Sequence, residues 1–386
     1  MNILFQVGSW HYDKGGTDLF VKTISYWLAR RGHKVVVLVH RLMDEKCSDE
    51  DIKAGKGVIK VRYTPPQRKG ARFNPLVYAY RLAITSLYIY KLAKEEKIDI
   101  AVVGETELLS AIFLKLLDVK IFCRGGALMY ETMSKEVIKE RGNGAYSSLF
   151  ILLIKLYNLA TLKIPDAMVP VNEAEYEFMN AHKRKKALIA TIPHGVNTSI
   201  FKPIRAKKSG KVIVGYVGRL APIKYPEVAL EIFKDASKNA KNAEFWWIGS
   251  LDSSFKKDYF EKLKKKIGIK NAKYLGQIDN KKLPKTLGKM DIFLQAEQQK
   301  NVSRSTTEAA ACGLPVVAFN LGKEPFGFFT KDRQKAVEEL AKLIENGRYR
   351  AEKGREARKI IEKDYSEESS YGKFVKIFER AKNGRE

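Results

Sequence analysis

The sequence predicts an α/β fold of two doubly wound, Rossmann-like domains, and three observations carry that expectation. Short uninterrupted apolar runs alternate with amphipathic helical stretches along the chain, the pattern of parallel strands covered on both faces. The alternation starts twice, at ILFQVGSW and again at KVIVGYVGRL. Between the two series, residues 202–210 (KPIRAKKSG) form a basic stretch with Pro203 and Gly210 and no apolar periodicity, which reads as a linker. A length of 386 residues is also too great for one ordinary core.

The elements follow in order. ILFQV is a buried strand, HYDKGGTD a glycine-containing loop, LFVKTISYWLARRGH an amphipathic helix stopped by Gly32, and KVVVLVH a second buried strand. DIAVVGE and VKIFCRG are strands flanking a helix through Leu117. DAMVPVN, EAEYEFMNAH and ALIATIPHG repeat strand, helix, strand. The second series runs KVIVGYVGRL, helix PEVALEIFKDASK, strand AEFWWIGS, a Lys-rich helix, strand KYLGQI, helix KKLPKTLGKM, strand DIFLQA, a polar loop with a short helix, and strand PVVAFN. Everything from Lys335 onward is helix-forming. The expected domains are 1–203, 204–366, and a C-terminal helix over 367–386 that packs back on the first domain.

Composition excludes several classes. With 45% hydrophobic and 30% charged residues the chain is globular. Three widely spaced cysteines (Cys47, Cys123, Cys312) offer no disulfide framework or metal spacing, which favours a reducing compartment. MNILFQVGSW reads as a strand, not a signal peptide. The longest apolar run, Leu149 to Leu162, carries Lys155 and is short for a span; it reads as a buried helix or as one lying in a membrane interface. The net charge is +27, and Ile52 to Leu92 holds nine Lys or Arg and no acid. Such a patch suits anionic lipid, nucleic acid or a phosphorylated substrate. No nucleic-acid motif accompanies the charge, so no specific nucleic acid is expected. A dehydrogenase reading fails for want of the G-x-G-x-x-G fingerprint.

Open parallel sheets bind ligands beyond the carboxyl ends of their strands, so the loops after strands matter most. Lys14-Gly15-Gly16-Thr17 follows the first strand. Paired glycines there allow close backbone approach, and the helix start offers free N–H groups to an anion, though a simple turn accounts for the loop as well. In GYVGRLAPIKYPE, Arg219 and Lys224 stand beyond a strand end beside a helix start, where an arginine fork and a lysine point charge suit a diphosphate. In KNVSRSTTEAAACGLPVVA (Lys300 to Ala318), a hydroxyl-rich loop opens a helix containing Glu308, which either accepts the two hydroxyls of a ribose or simply complements the helix dipole.

Taken together these loops resemble the retaining glycosyltransferases of family 4, which have the GT-B fold of two Rossmann-like domains facing a central cleft. The resemblance covers nearly the whole chain in order. The Gly15-Gly16 loop and RRGHKVVVL are similar to the family's Gly-Gly loop and Gly-His-x-Val strand. IPHGVNTSIFKP is similar to its Pro-Asn-Gly-Val-Asp…Phe-x-Pro segment, with His194 and Asn197 as departures. VGRLAPIK resembles Gly-Arg-Leu-x-x-x-Lys, and RSTTEAAACGLPVVA resembles the end of Glu-x7-Glu with the Ala-x-Gly-x-Pro-Val-Val-Ala that follows.

The resemblance implies a retaining transfer of a sugar (a hexosyltransferase activity) from a nucleotide diphosphate donor, UDP- or GDP-type, to a glycan or lipid-linked acceptor. The alternative is a non-catalytic GT-B-like protein that binds nucleotide or a partner. Implied roles are Gly15 and Gly16 against the donor phosphate, Arg219 and Lys224 on the diphosphate as the catalytic pair, and Glu308 on the ribose. Backbone near Gln277 and Ile278 would meet the base, with Ser305, Thr306 and Thr307 along the ribose and phosphates. No metal or other cofactor is implied, and the three loops hold no Asp-x-Asp pair. Lys300 stands where the family's first Glu faces the transferred sugar. Glu297 lies three residues earlier. Arg124 stands where many members carry a histidine near the reacting centre, and Glu324 is the one acid in the short FNLGKEPFG segment. A lysine at position 300 suits a donor sugar bearing a carboxylate. The implied place is the cytoplasm, peripheral at the inner face of the cell membrane.

Overall fold

A computed structural model describes residues 1–384 except positions 9, 11–15, 42–46, 67–74, 105–107, 109–110, 126–155, 157–158, 205–209, 241, 253–254 and 298–301; at 16, 75–79, 81–82 and 174 the backbone alone is described. The chain divides into two compact units, Met1–Pro193 with Tyr371–Glu386, and His194–Ser370.

The first unit is built on an eight-stranded sheet of order β3-β4-β2-β1-β5-β6-β7-β8. Its strands are β1 (Asn2–Val7), β2 (Lys34–Val39), β3 (Glu50–Ala54), β4 (Gly57–Tyr63), β5 (Ile100–Gly104), β6 (Lys120–Arg124), β7 (Ala167–Val169) and β8 (Leu188–Ile189). All pairings are parallel except the β3–β4 hairpin. Helix α1 (Gly16–Arg30) lays Phe20, Val21, Ile24 and Leu28 on one face of the sheet, against Ile3, Phe5 and Val7 of β1. Leu4 points to the other face, with Val36, Ala101 and Ile121. Covering both faces is what makes each strand an unbroken apolar run. Gly32, at φ 86°, ends α1 with its N–H on Ala29 O (2.9 Å), a left-handed stop that a Cβ would strain.

The hairpin and the helix α2 (Pro75–Glu96) reshape the basic stretch seen in sequence. Lys60 donates to both Glu96 oxygens at 3.0 Å, and Arg62 to Asp51 at 2.7 Å. Those two cations are neutralised within the unit, while Lys53 and Lys56 stay exposed. Arg68, Lys69 and Arg72 lie outside the described residues, as do the Lys14–Gly15 loop and most of the apolar run from Leu149.

The second unit carries a six-stranded parallel sheet of order β11-β10-β9-β12-β13-β14. The strands are β9 (Val212–Val217), β10 (Ala243–Ile248), β11 (Ala272–Tyr274), β12 (Ile292–Ala296), β13 (Val316–Phe319) and β14 (Phe328–Thr330). Counted from β9 this is the order 3-2-1-4-5-6 of a doubly wound fold, with the switch point between β9 and β12. The helices are α3 (Glu173–His182, first unit), α4 (Pro226–Ala236), α5 (Tyr259–Ile267), α6 (Leu283–Leu287), α7 (Arg304–Ala311), α8 (Arg333–Glu345), α9 (Gly347–Ile360) and α10 (Glu367–Asn383).

The first division between units lies at Pro193, ahead of residue 203. The intervening segment belongs to the second core: Val196 pairs with Ser366, and Phe201 packs with Leu314 and Ile361. Arg358 on α9 holds it further, donating to Phe201 O and Ala311 O at 2.6 Å and to Thr198 O at 3.1 Å. The second division, after Ser370, falls inside α10. From Tyr371 that helix packs on the first unit, with Phe374 against Phe20 (5.6 Å) and Phe378 edge-on to Phe122 (4.9 Å).

Candidate functional site

The sequence-derived donor residues of the second unit gather at the switch point of its sheet. Strand β9 ends at Val217, and Gly218 and Arg219 follow. Gly249, at the end of β10, approaches so closely that a Cβ on it would sit 2.0 Å from Gly218 O. The glycine lets the two strand ends meet, and Trp247 Nε1 donates to the same carbonyl at 3.0 Å. Arg219 projects half-exposed, with Nη1 3.3 Å from Asp252. Lys224 closes a single 3₁₀ turn (Pro222–Lys224) directly before α4.

Lys224 has a partner that sequence reading did not assign. Its Nζ lies 2.5 Å from Glu297 Oε1, the residue immediately after β12. Glu297 is 3% exposed and also accepts from Gln295 Nε2. Burial pushes its carboxyl above the usual range, and Lys224 and Gln295 only partly offset that. Tyr216 braces the arrangement from below: stacked on Trp247 at 3.9 Å, it donates to Ala296 O at 2.8 Å.

Helix α7 begins beside the same strand ends. Ser305 Oγ donates to Val217 O at 2.7 Å, tying the helix start to the carboxyl end of β9. Ser303 Oγ contacts Ser305 Oγ (2.7 Å) and Thr306 Oγ1 (3.1 Å), so the hydroxyls form one network. Thr307 turns back to Arg304 O. Glu308 is buried, and Arg304, one turn earlier, donates Nε to its Oε1 at 2.9 Å. Burial raises the Glu308 carboxyl and Arg304 opposes it. The i,i+4 spacing was legible in SRSTTE as a helix-surface pair; its burial was not. Gln277 is exposed and Ile278 half-buried in the loop after β11. Lys300 lies outside the described residues.

In the first unit, Gly16 opens α1, and Gly15 lies outside the described residues. Arg124 ends β6 and is buried. Its guanidinium lies over Phe20 and Phe374, and burial pushes its pKa down to about 10 against the opposing charge of Glu175, so it stays a cation at neutral pH. Glu324 accepts from Tyr365 Oη at 2.5 Å. Among the described residues no group of His, Cys, Asp or Glu could hold a metal. The Asp49-Glu50-Asp51 triplet, an Asp-x-Asp sequence, lies at β3, where Asp49 accepts from Tyr63 N and Asp51 from Arg62.

With this geometry in hand, the family model described as glycosyl transferases group 1 matches residues 197–360. That segment belongs to the glycosyl transferases group 1 family. It contains Arg219, Lys224, Glu297 and Glu308 together. A phosphatidylinositol N-acetylglucosaminyltransferase of Arabidopsis thaliana is 23% identical over 81% of this chain. The chain spans at most 65% of the length of the curated relatives it matches. The sucrose-phosphate synthase of Thermosynechococcus elongatus superposes with TM-score 0.79 at 15% identity, covering 99% of both chains. HepE of Anabaena, solved in complex with UDP-glucose, superposes with TM-score 0.68 at 16% identity over 98% of this chain and 99% of its own. These likenesses establish the GT-B fold.

Proposed function

We propose that this chain is a retaining glycosyltransferase of the family 4 type, moving a sugar from a nucleoside diphosphate donor to a glycan or lipid-linked acceptor. The observation that carries the reading is the convergence at one switch point of two cations after β9 with the hydroxyl-rich start of α7, tied by Ser305 to Val217. A site of that make suits a ribose–diphosphate. Glu308 takes the ribose hydroxyls, exchanging part of its contact with Arg304. Arg219 and Lys224 take the charge that grows on the departing diphosphate, doing the work a cation would do there. Backbone near Gln277 and Ile278 meets the base. The leaving phosphate assists the acceptor hydroxyl, so no side chain serves as general base and no metal is required. Lys300 and Gly15–Gly16 stay in this proposal as contacts to the transferred sugar and the donor phosphate.

Structures named as UDP-glucose and UDP-2-fluoro-glucose complexes share the fold, which supports a UDP-type donor. A relative named for phosphatidylinositol and N-acetylglucosamine supports a phospholipid-linked acceptor. No helix of the described residues is long and apolar enough to cross a membrane. The acceptor is met instead at an anionic membrane surface, through the chain's excess of cations. A thermal-shift panel of UDP-, GDP- and ADP-sugars tests the donor: one nucleotide class stabilises the chain by binding linkage. Absence of any shift overturns the enzyme reading in favour of a non-catalytic GT-B-like protein.

A further inference from the structure

Arg124 carries a donor edge that the fold leaves bare. Its Nη1 is held, donating to Ile192 O at 2.5 Å and, more weakly, to Val169 O at 3.4 Å. Phe20 and Phe374 lie against the guanidinium carbon at 4.7 and 5.1 Å. Nε and Nη2, on the other edge, are buried and have no hydrogen-bond partner among the described residues. These two donors are the side-on fork of an arginine, whose spacing matches two oxygens of a phosphate or carboxylate. Buried donors are ordinarily satisfied, and a charged one left bare is expensive.

The surroundings fit a ligand. Arg124 is the last residue of β6, at the carboxyl end of a parallel sheet, where such folds bind. Its register neighbour on β5 is Gly104, on the same face, and a Cβ built on Gly104 would meet nothing within 4 Å among the described residues. Glu175 is the carboxylate whose charge acts on Arg124, yet it leaves the fork unsatisfied. Its Oε2 accepts from Val171 N at 2.9 Å, and a Cβ on Gly125 would strike that oxygen at 2.0 Å, so the carboxyl is wedged in place.

We propose that the Nε–Nη2 edge of Arg124 is an oxyanion site that grips a phosphate or carboxylate borne by the acceptor. It rests on the proposed transferase activity only in naming that ligand the acceptor; the oxyanion site itself stands on the first unit alone. The test follows the Arg124 Nε–H resonance in the ¹⁵N-labelled full chain, assigned through bonds from its own backbone so that no variant is needed. Sodium phosphate moves that signal saturably, while sodium chloride at matched ionic strength does not. Short-chain phosphatidic acid, with a phosphate-free monoacylglycerol as control, separates the sources. A response to inorganic phosphate assigns a free oxyanion as sufficient; a response to phosphatidic acid alone assigns a lipid headgroup. Arg124→Lys, which keeps the charge and loses the fork, weakens phosphate binding at least about tenfold. An unmoved signal with phosphate, acetate and phosphatidic acid, or one that chloride moves equally, overturns the proposal. Nucleotide-sugar binding measured on the same samples reports the second unit separately, so either reading can fail while the other stands.

Discussion

At the scale of single residues, the chain places Lys224 in a buried pair with Glu297. Lys224→Ala is expected to lower kcat/KM by about 10²–10³, the loss of one preorganised cation at a developing charge. Glu297→Gln leaves the cation and removes what aims it, so a smaller loss in kcat/KM is expected, with stability lowered by about 1.5–3 kcal/mol. Steady-state kinetics with the stabilising donor and thermal denaturation measure the two effects. Equal kinetic losses would place Glu297 in the chemistry itself. Glu324 makes a pH prediction. Burial raises its carboxyl in the fold above the ordinary 4.5, with Tyr365 Oη opposing. The unfolded chain therefore ionises first as pH rises, and stability falls across the window just above that value. Glu324→Gln cannot ionise and still accepts from Tyr365. Its melting temperature relative to the native chain should rise between about pH 5 and about pH 8; a difference that is flat with pH would refute the assignment.

At the scale of elements, α9 and α10 do more than fill space. Arg358 gathers carbonyls from the 198–201 segment and from the end of α7. Gly354, one turn earlier on α9, lets the helix touch the turn after α7, since a Cβ there would lie 2.1 Å from Gly313 O. Arg358→Ala should destabilise the second unit by about 3 kcal/mol, leaving buried carbonyls unpaired, and denaturant unfolding followed at that unit's tryptophans would show it. The first strand, its glycine stop and the second strand were legible because a period of two or 3.6 is a local property. The β3–β4 hairpin was missed in sequence because its lysines and arginine read as a charge run. Only the approach of Glu96 from the end of α2 shows that they are paired.

At the scale of the whole molecule, a net charge of +27 remains after the internal pairs are counted, because pairing redistributes charge without changing its sum. Each cation near an anionic bilayer contributes about 1 kcal/mol, and salt screens the attraction within about 10 Å at 0.1 M. The chain is expected to float with vesicles containing phosphatidylserine at low ionic strength and to be released by added salt. Failure to bind at low ionic strength would remove the membrane surface from the proposed function while leaving the donor site untouched.

The sequence by itself determined the alternation of strands and helices, the two Rossmann-like series, and which loops follow strands, since each depends on residues within one or two turns. Arg219, Lys224 and Glu308 were therefore placed in the candidate site before any contact was known. Only the tertiary structure decided what faces those residues. Glu297 meets Lys224 across 73 positions because β12 lies beside β9 in the sheet. Arg124 lies against Phe374 because the chain's last helix returns to the first unit. Strand order and the return of a terminal helix are properties of packing among distant segments, and no local pattern encodes which charge they bring together.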